Sequence, residues 1–362
     1  MRLKASLIRL FGTPHWPTVA LTYGVGLAGG LAARRIGLPL PMLLGPLLAV
    51  GVLTLAGVRP LGHLLQAPQS FRMLVIPVIG VAIGGAARPE LLDEAPHWLV
   101  SLGALGLFIP LVHLAGFRLL AATGRIDRRT AFYGAAPGGL VETVHLGEEA
   151  GADVQMLVML QFLRLILTIF LIPVAFSLME GHAVGSAAGA AVRGGALDPA
   201  DVAVLIFAAV VGAVAGLRLR LPAGHMLGPL LLSGAAHVAG LTDAVPPGWM
   251  LAAAQVVIGT ALGVRFAGMP KRRILDALAL AALNAAVTMG GALLFAVNLA
   301  ALTGQPVRAV FLAFAPGGLI EMGLIALSLN MSILYVTAHH LLRIVLAVSV
   351  ARYGGPRIGG GP

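Results

Sequence analysis

The sequence predicts an all-α polytopic membrane protein made of two homologous halves, read as inverted repeats of five spans plus one re-entrant or broken helix each. Three observations predict this. Of the 362 residues, 59% are hydrophobic and 10% charged, against about 25% charged in an average soluble domain. Apolar stretches long enough to cross a bilayer follow one another along the chain. One heptapeptide occurs twice, as Ala136-Pro137-Gly138-Gly139-Leu140-Val141-Glu142 and as Ala315-Pro316-Gly317-Gly318-Leu319-Ile320-Glu321, with six of seven positions identical.

The apolar stretches of the first half fall near residues 17–33, 41–57, 72–87, 97–122, 131–147 and 154–179. Those of the second fall near 201–217, 225–241, 249–267, 275–302, 307–327 and 331–351. The first stretch follows the basic residues Arg2, Lys4 and Arg9, shows no small-residue cleavage site and leads into further spans. It reads as a retained span. Between the halves, Glu180 to Ala200 is rich in Gly and Ala and too interrupted to span, which marks it as a linker. The expected organisation is a first membrane repeat over 1–180, a linker over 181–200 and a second repeat over 201–362.

The repetition extends beyond the heptapeptide. Leu44-Gly45-Pro46-Leu47-Leu48 returns as Leu227-Gly228-Pro229-Leu230-Leu231, and Val78-Ile79-Gly80 as Val257-Ile258-Gly259. Phe162-Leu163-Arg164-Leu165-Ile166-Leu167 is matched by Leu341-Leu342-Arg343-Ile344-Val345-Leu346, and from residue 78 onward the offset holds at 179.

A formal net charge of +10 suggests nucleic acid in a soluble protein. Here the basic residues sit in short loops between spans, where no continuous basic face forms, so no nucleic acid is expected. Their use is topological. In the first half Arg2, Lys4, Arg9, Arg59, Arg125, Arg128 and Arg129 lie on one side, and Arg34, Arg35 and the acidic loop with Glu90, Asp93 and Glu94 on the other. The loop matching that acidic one is basic, Arg265 to Arg273 with Lys271 and Arg272. By the positive-inside rule the halves are inverted. Inversion requires an odd number of crossings per half, so one of six stretches does not cross. The one carrying Pro-Gly-Gly is the natural choice, because proline removes a backbone donor and glycine weakens a helix by about 1 kcal/mol. Two parallel six-span halves are the alternative.

A helix broken within a bilayer exposes backbone N–H and C=O groups, at several kcal/mol each unless protein, water or ligand satisfies them. Pro137, Gly138 and Gly139 with Pro316, Gly317 and Gly318 therefore form a candidate substrate site at two facing breaks. The plainer possibility is that these glycines only permit close helix crossing. Glu142 and Glu321 follow three residues later, and Arg164 and Arg343 lie 22 residues past each glutamate. A guanidinium stays charged at that depth and requires an anionic partner or water. It binds an anionic substrate, or it pairs with its own glutamate and only locks the element. His339 and His340, one turn before Arg343, are candidate proton relays, since imidazole titrates near neutral pH. Gln161 stands where the second half has His340, and Asn284 and Asn298 lie mid-span.

Other chemistry lacks its residues. The ten histidines are dispersed and cysteine is absent, so neither a metal centre nor a cysteine nucleophile is expected. No nucleotide-binding loop, hydrolase elbow or zinc-protease motif occurs, and neither an enzyme nor a cofactor is expected.

The duplicated Ala-Pro-Gly-Gly-Leu-hydrophobic-Glu block, its downstream arginine span and the repeated Leu-Gly-Pro-Leu-Leu resemble the bacterial AbrB membrane protein family across residues 17 to 350. That family is often labelled ammonia monooxygenase or regulator. The resemblance implies an inner-membrane protein with two copies of one domain, linked in its named member to regulation of gene expression. An unrelated soluble DNA-binding regulator bears the same name, and nothing here resembles it.

The functional expectation is a multi-pass protein of the inner membrane, of secondary-transporter type. It moves a small, anionic solute by alternating access around the two Pro-Gly-Gly breaks, with the bilayer and a small molecule or ion as partners and a homo-oligomer left open. The alternative is a non-transporting membrane regulator of gene expression; the longest non-spanning stretches are about 20 residues, too short for a soluble signalling domain.

Overall fold

The computed structural model describes residues 14–88, 95–184, 198–221, 223–329 and 331–358, and among them the regular structure is helical, with no strand. The first half supplies α1 (Trp16–Arg35), α2 (Pro41–Ala56), α3 (Gln69–Gly84), α4 (Trp98–Ala122), α5 (Arg128–Ala135), α6 (Leu140–Glu149) and α7 (Val154–Glu180). The second supplies α8 (Pro199–Arg218), α9 (Gly224–Val238), α10 (Gly248–Val264), α11 (Lys271–Thr303), α12 (Val307–Phe314), α13 (Leu319–Ser328) and α14 (Ile333–Ile358). The order of long and short helices is the same in both.

Local sequence accounts for many ends. Both α1 and α8 carry proline in the first turn and arginine in the last, Arg34 and Arg35 in one and Arg218 in the other. Proline lacks the N–H that a first turn cannot use, and arginine faces the negative end of the helix dipole. Gly57 closes α2 in the left-handed conformation, φ 79°. Less expected, Leu40 and Ala223 enter α2 and α9 at φ 44° and φ 49°, a region that disfavours side chains bearing Cβ.

Among the described residues five helices are long and apolar enough to cross a membrane, over Trp98–Ala122, Val154–Glu180, Pro199–Arg218, Arg272–Thr303 and Ile333–Gly355. The apolar helices α2, α3 and α10 are shorter. The fold is that of an all-α polytopic membrane protein.

Residues 185–197 of the expected linker lie outside the described residues, as do Arg2, Lys4, Arg9, Glu90, Asp93 and Glu94, which entered the topology reading.

The chain gathers into two compact units, and each draws on both halves of the sequence. The first comprises Met1–Pro89, Pro173–Met269 and Leu327–Asn330. Within it α1 packs on α2 and α8 on α9, while α3 lies against α9 and α10 against α2. Glycine makes these approaches possible. A Cβ on Gly80 of α3 would stand 2.5 Å from the Met226 carbonyl oxygen, and Gly259 of α10 meets the Leu43 carbonyl in the same manner. Small residues at helix crossings are how bundles in lipid gain dispersion contact.

The second unit comprises Glu90–Ile172, Pro270–Ala326 and Met331–Pro362. Here α4 packs on α11, α5 on α4 and α12 on α11, and α14 touches α4, α5, α6 and α12. Phe108 stands edge-on to both Phe295 and Phe314, with ring centroids 5.1 Å apart in each case, and anchors this core. The stretches 131–147 and 307–327 are each interrupted at the heptapeptide, which separates α5 from α6 and α12 from α13.

Candidate functional site

Both breaks, both arginines and both histidines belong to the second unit. At the first break α5 stops at Ala135 because Ala136, which precedes proline, takes φ −55° and ψ 124°. Gly139 then turns at φ 65° to start α6, a left-handed position that suits glycine. At the second break Ala315 stops α12 with φ −59° and ψ 141°. Its Gly318 stays out of the left-handed region, so the two breaks are alike but not identical.

Helix α7 satisfies the carbonyls left by the first break. Arg164 donates from Nη1 to the Ala136 carbonyl and from Nη2 to Gln161 Oε1 at 2.8 Å. The Gln161 amide nitrogen donates to Tyr133 O at 2.9 Å and to Ala136 O at 3.4 Å. Helix α14 treats the second break the same way. Arg343 donates from Nη1 to the Ala315 carbonyl and from Nη2 to Gly317 O at 2.6 Å. His340 donates from Nε2 to Leu312 O at 2.9 Å; a carbonyl only accepts, so this nitrogen carries the proton. The last carbonyls of a helix have no partner within it, and in a dry site an arginine supplies both hydrogen bonds and the charge that the helix C-terminus favours.

The guanidiniums are deeply buried, Arg164 at 7% exposure and Arg343 at 2%. They lie within electrostatic reach of each other. Arg125–Asp276, His145–Glu149 and Arg273–Asp153 form ion pairs, and neither buried arginine is in these three. A Glu142–Arg164 lock is not formed. Among the described residues Nε of Arg343 is buried without a hydrogen-bond partner.

The glutamates stand instead in the first turns of α6 and α13, where a carboxylate faces the positive end of the helix dipole. They differ in setting. Glu321 is buried, at 6% exposure, and its carboxylate lies over Gly318, where a side chain on that glycine would begin. Glu142 is exposed, and its Oε2 stands 3.6 Å from the corresponding place on Gly139.

Of the histidines, His339 is engaged at both ring nitrogens. Nδ1 donates to Tyr335 O at 2.7 Å and Nε2 meets Ser101 Oγ at 2.8 Å. Among the described residues His340 Nδ1 has no hydrogen-bond partner. Pro137, Gly138 and Pro316 are buried at the breaks, and Gly139, Gly317 and Gly318 are half-buried.

Some supporting residues escaped the sequence reading. His113 Nε2 donates to Phe132 O at 2.9 Å, holding the last turn of α5. Asn284, noted only as mid-span, donates from Nδ2 to Gly134 O at 3.3 Å. Asp127 caps α5 by accepting from the Thr130 amide at 2.9 Å. For that cap there was a signal, an aspartate just ahead of a helical run; for the first two, a lone polar residue in an apolar span does not disclose its acceptor.

Wholly helical regular structure among the described residues, with helices of membrane-spanning length, defines a polytopic membrane protein. Residues 58–354 match the family described as Transition state regulatory protein AbrB, and the chain belongs to that family. It is similar to an uncharacterized protein of Bacillus subtilis (strain 168), YhjN, at 28% identity over 90% of this chain and 89% of the relative. It is also similar to a protein of Escherichia coli (strain K12) whose name provisionally calls it regulator AbrB, at 26% identity over 85% of this chain and 87% of the relative.

Proposed function

We propose that this membrane protein moves a small anionic solute across the inner membrane by alternating access around the two Pro-Gly-Gly breaks. The observation that carries the proposal is the pair of buried guanidiniums, Arg164 and Arg343, whose hydrogen bonds at the breaks go to carbonyl and amide oxygens. A buried cation without a counter-charge is costly. Helix dipoles offset part of that cost, and an anion admitted to the site offsets more. The two repeats, 1–180 and 201–362 about a linker, are taken as inverted, each with five spans and one re-entrant element. The breaks are the polar places at which such a pair of repeats opens to one side and then the other. The ligand contacts assigned are Pro137, Gly138, Gly139, Glu142 and Arg164 from one half and Pro316, Gly317, Gly318, Glu321 and Arg343 from the other. His339 and His340 are assigned to proton movement, and no enzymatic step, cofactor or metal is invoked.

The test is counterflow of radiolabelled anions in proteoliposomes holding the purified protein, beside Arg164→Gln and Arg343→Gln. Uptake by the parent protein, lost in both variants while they still purify as monodisperse species, is the expected result. No flux for any small anion, with ligand-dependent gene expression changes in cells, would favour the second reading. That reading, a membrane regulator, draws on the name given to the Escherichia coli relative.

A further inference from the structure

The two breaks differ in what occupies the helix start that follows them. At α13 the place is filled from within the chain: the buried Glu321 carboxylate lies over Gly318, at the N-terminus of its own helix. At α6 Gly139 stands as a left-handed N-cap with no side-chain cap bond, and the Val348 Cγ2 methyl, not a carboxylate, lies 2.5 Å from where a side chain on that glycine would begin. Glu142, the equivalent glutamate, is exposed. A second feature converges on the same spot. Nε of Arg343, buried and without a partner, stands 3.8 Å from where a side chain on Gly138 would begin. A helix N-terminus offers N–H groups that have no partner within the helix and a positive dipole end. Together with one free guanidinium N–H this makes a site for a single anionic group.

We infer that the ligand is a small carboxylate, held at the start of α6 between the Gly138–Leu140 backbone and Arg343 Nε, and that the Glu321 carboxylate stands in for it at the start of α13. This rests on the anion-transport reading above and adds the ligand class and a one-sided occupancy. The class follows from the repeat: the pseudo-equivalent place is filled by a carboxylate, the flat two-oxygen group that matches paired N–H donors. The one-sidedness follows from the glutamates. In this state Glu321 is folded in and Glu142 is out; in the opposite state of an alternating-access cycle the roles exchange, Glu142 closing α6 and Glu321 opening α13. Each glutamate then acts as a tethered competitor that displaces the ligand from its own helix start.

The experiment uses the full chain in detergent. Thermal unfolding is followed while potassium acetate, chloride or phosphate is titrated at constant ionic strength, and bound acetate is counted by equilibrium dialysis with the radiolabelled anion. Acetate is expected to raise the midpoint saturably, by about 2–4 °C, with chloride and phosphate at least tenfold weaker. Gly138→Ala serves as the blocking variant, because its added methyl would stand in ordinary contact, 3.4 Å from Ala347 Cβ, and within the ligand's place. It should unfold at the parental midpoint without ligand and bind acetate at least tenfold more weakly. Glu321→Ala vacates the second place and should raise the acetate count from one towards two. An unchanged acetate response in Gly138→Ala overturns the site, and an unchanged count in Glu321→Ala overturns the stand-in role. If chloride or phosphate binds and acetate does not, the carboxylate class fails while the anion reading stands. If no anion binds, both fail.

Discussion

Gln161 and His340 occupy the same place in the two halves and make the same bond by different chemistry. The Gln161 amide donates to Tyr133 O and the His340 imidazole to Leu312 O, each at 2.9 Å and each reaching back 28 residues. The helix break, not the side chain, is what the repeat preserves: an orphan carbonyl in the last turn before Pro-Gly-Gly requires a donor from the long helix that follows.

His340→Gln should therefore be tolerated, with a thermal midpoint within about 2 °C of the parent, since glutamine already serves the equivalent carbonyl. His340→Leu leaves Leu312 O unpaired and should cost about 1–3 kcal/mol. His340 has a free ring nitrogen whereas both nitrogens of His339 are engaged. Any proton-coupled uptake should thus lose its pH dependence in His340→Gln, a change read by flux across a pH series.

Arg164→Lys should fail where charge alone would succeed. Lysine lacks the planar fork that reaches Ala136 O and Gln161 Oε1 together. We expect the variant to fold, lose about 1–2 kcal/mol for a carbonyl left poorly paired, and transport at least tenfold more slowly. Chemical denaturation and counterflow check the two effects separately.

The Asp153–Arg273 pair should make stability acid-sensitive. Partial burial alone would raise the Asp153 carboxyl, but the Met156 amide at 3.0 Å and the Arg273 guanidinium at 2.6 Å outweigh it and hold the group below its ordinary value. A lowered folded-state value adds stability at pH above about 3.9, the unfolded-state value, and that stability is lost as pH falls through the folded-state value. Asp153→Asn should flatten this acid limb. Because the pair is partly exposed, the loss at neutral pH should be only about 0.2–1 kcal/mol, smaller still in high salt. Midpoints measured from pH 3 to 7 at two ionic strengths test this.

Gly80→Ala should be far worse than Gly103→Ala. At Gly80 the new carbon would stand 2.5 Å from the Met226 carbonyl, while nothing lies within 4 Å of one at Gly103. We expect a loss of about 1–3 kcal/mol for the first and a neutral or slightly stabilising effect for the second. Thermal unfolding of both variants side by side is the check.

The breaks were legible because proline and paired glycine act on their own backbone, so Ala136 and Ala315 end their helices for reasons contained in neighbouring residues. What the arginines touch was not. Opposite charge made Glu142 an obvious partner for Arg164, yet the acceptor is a carbonyl, and every residue carries one. The first-turn role of both glutamates had a visible cue, an acid placed just inside a helix start. The left-handed entries at Leu40 and Ala223 had none, since neither residue is a usual occupant of that region. Nor did the repeat boundary disclose which helices pack together, because complementary surfaces hundreds of residues apart leave no local pattern.

Because each compact unit takes segments from both halves, neither can be completed while the ribosome is still making the first half. Helices α1 to α3 must wait in the bilayer until α8 to α10 have left the translocon, whereas the first break takes its donors from α7 and waits for α14 only as a packing partner. The nascent chain therefore carries unpartnered helix faces until its second half is made, and a ribosome that stalls between the halves leaves a product with no finished unit to rescue.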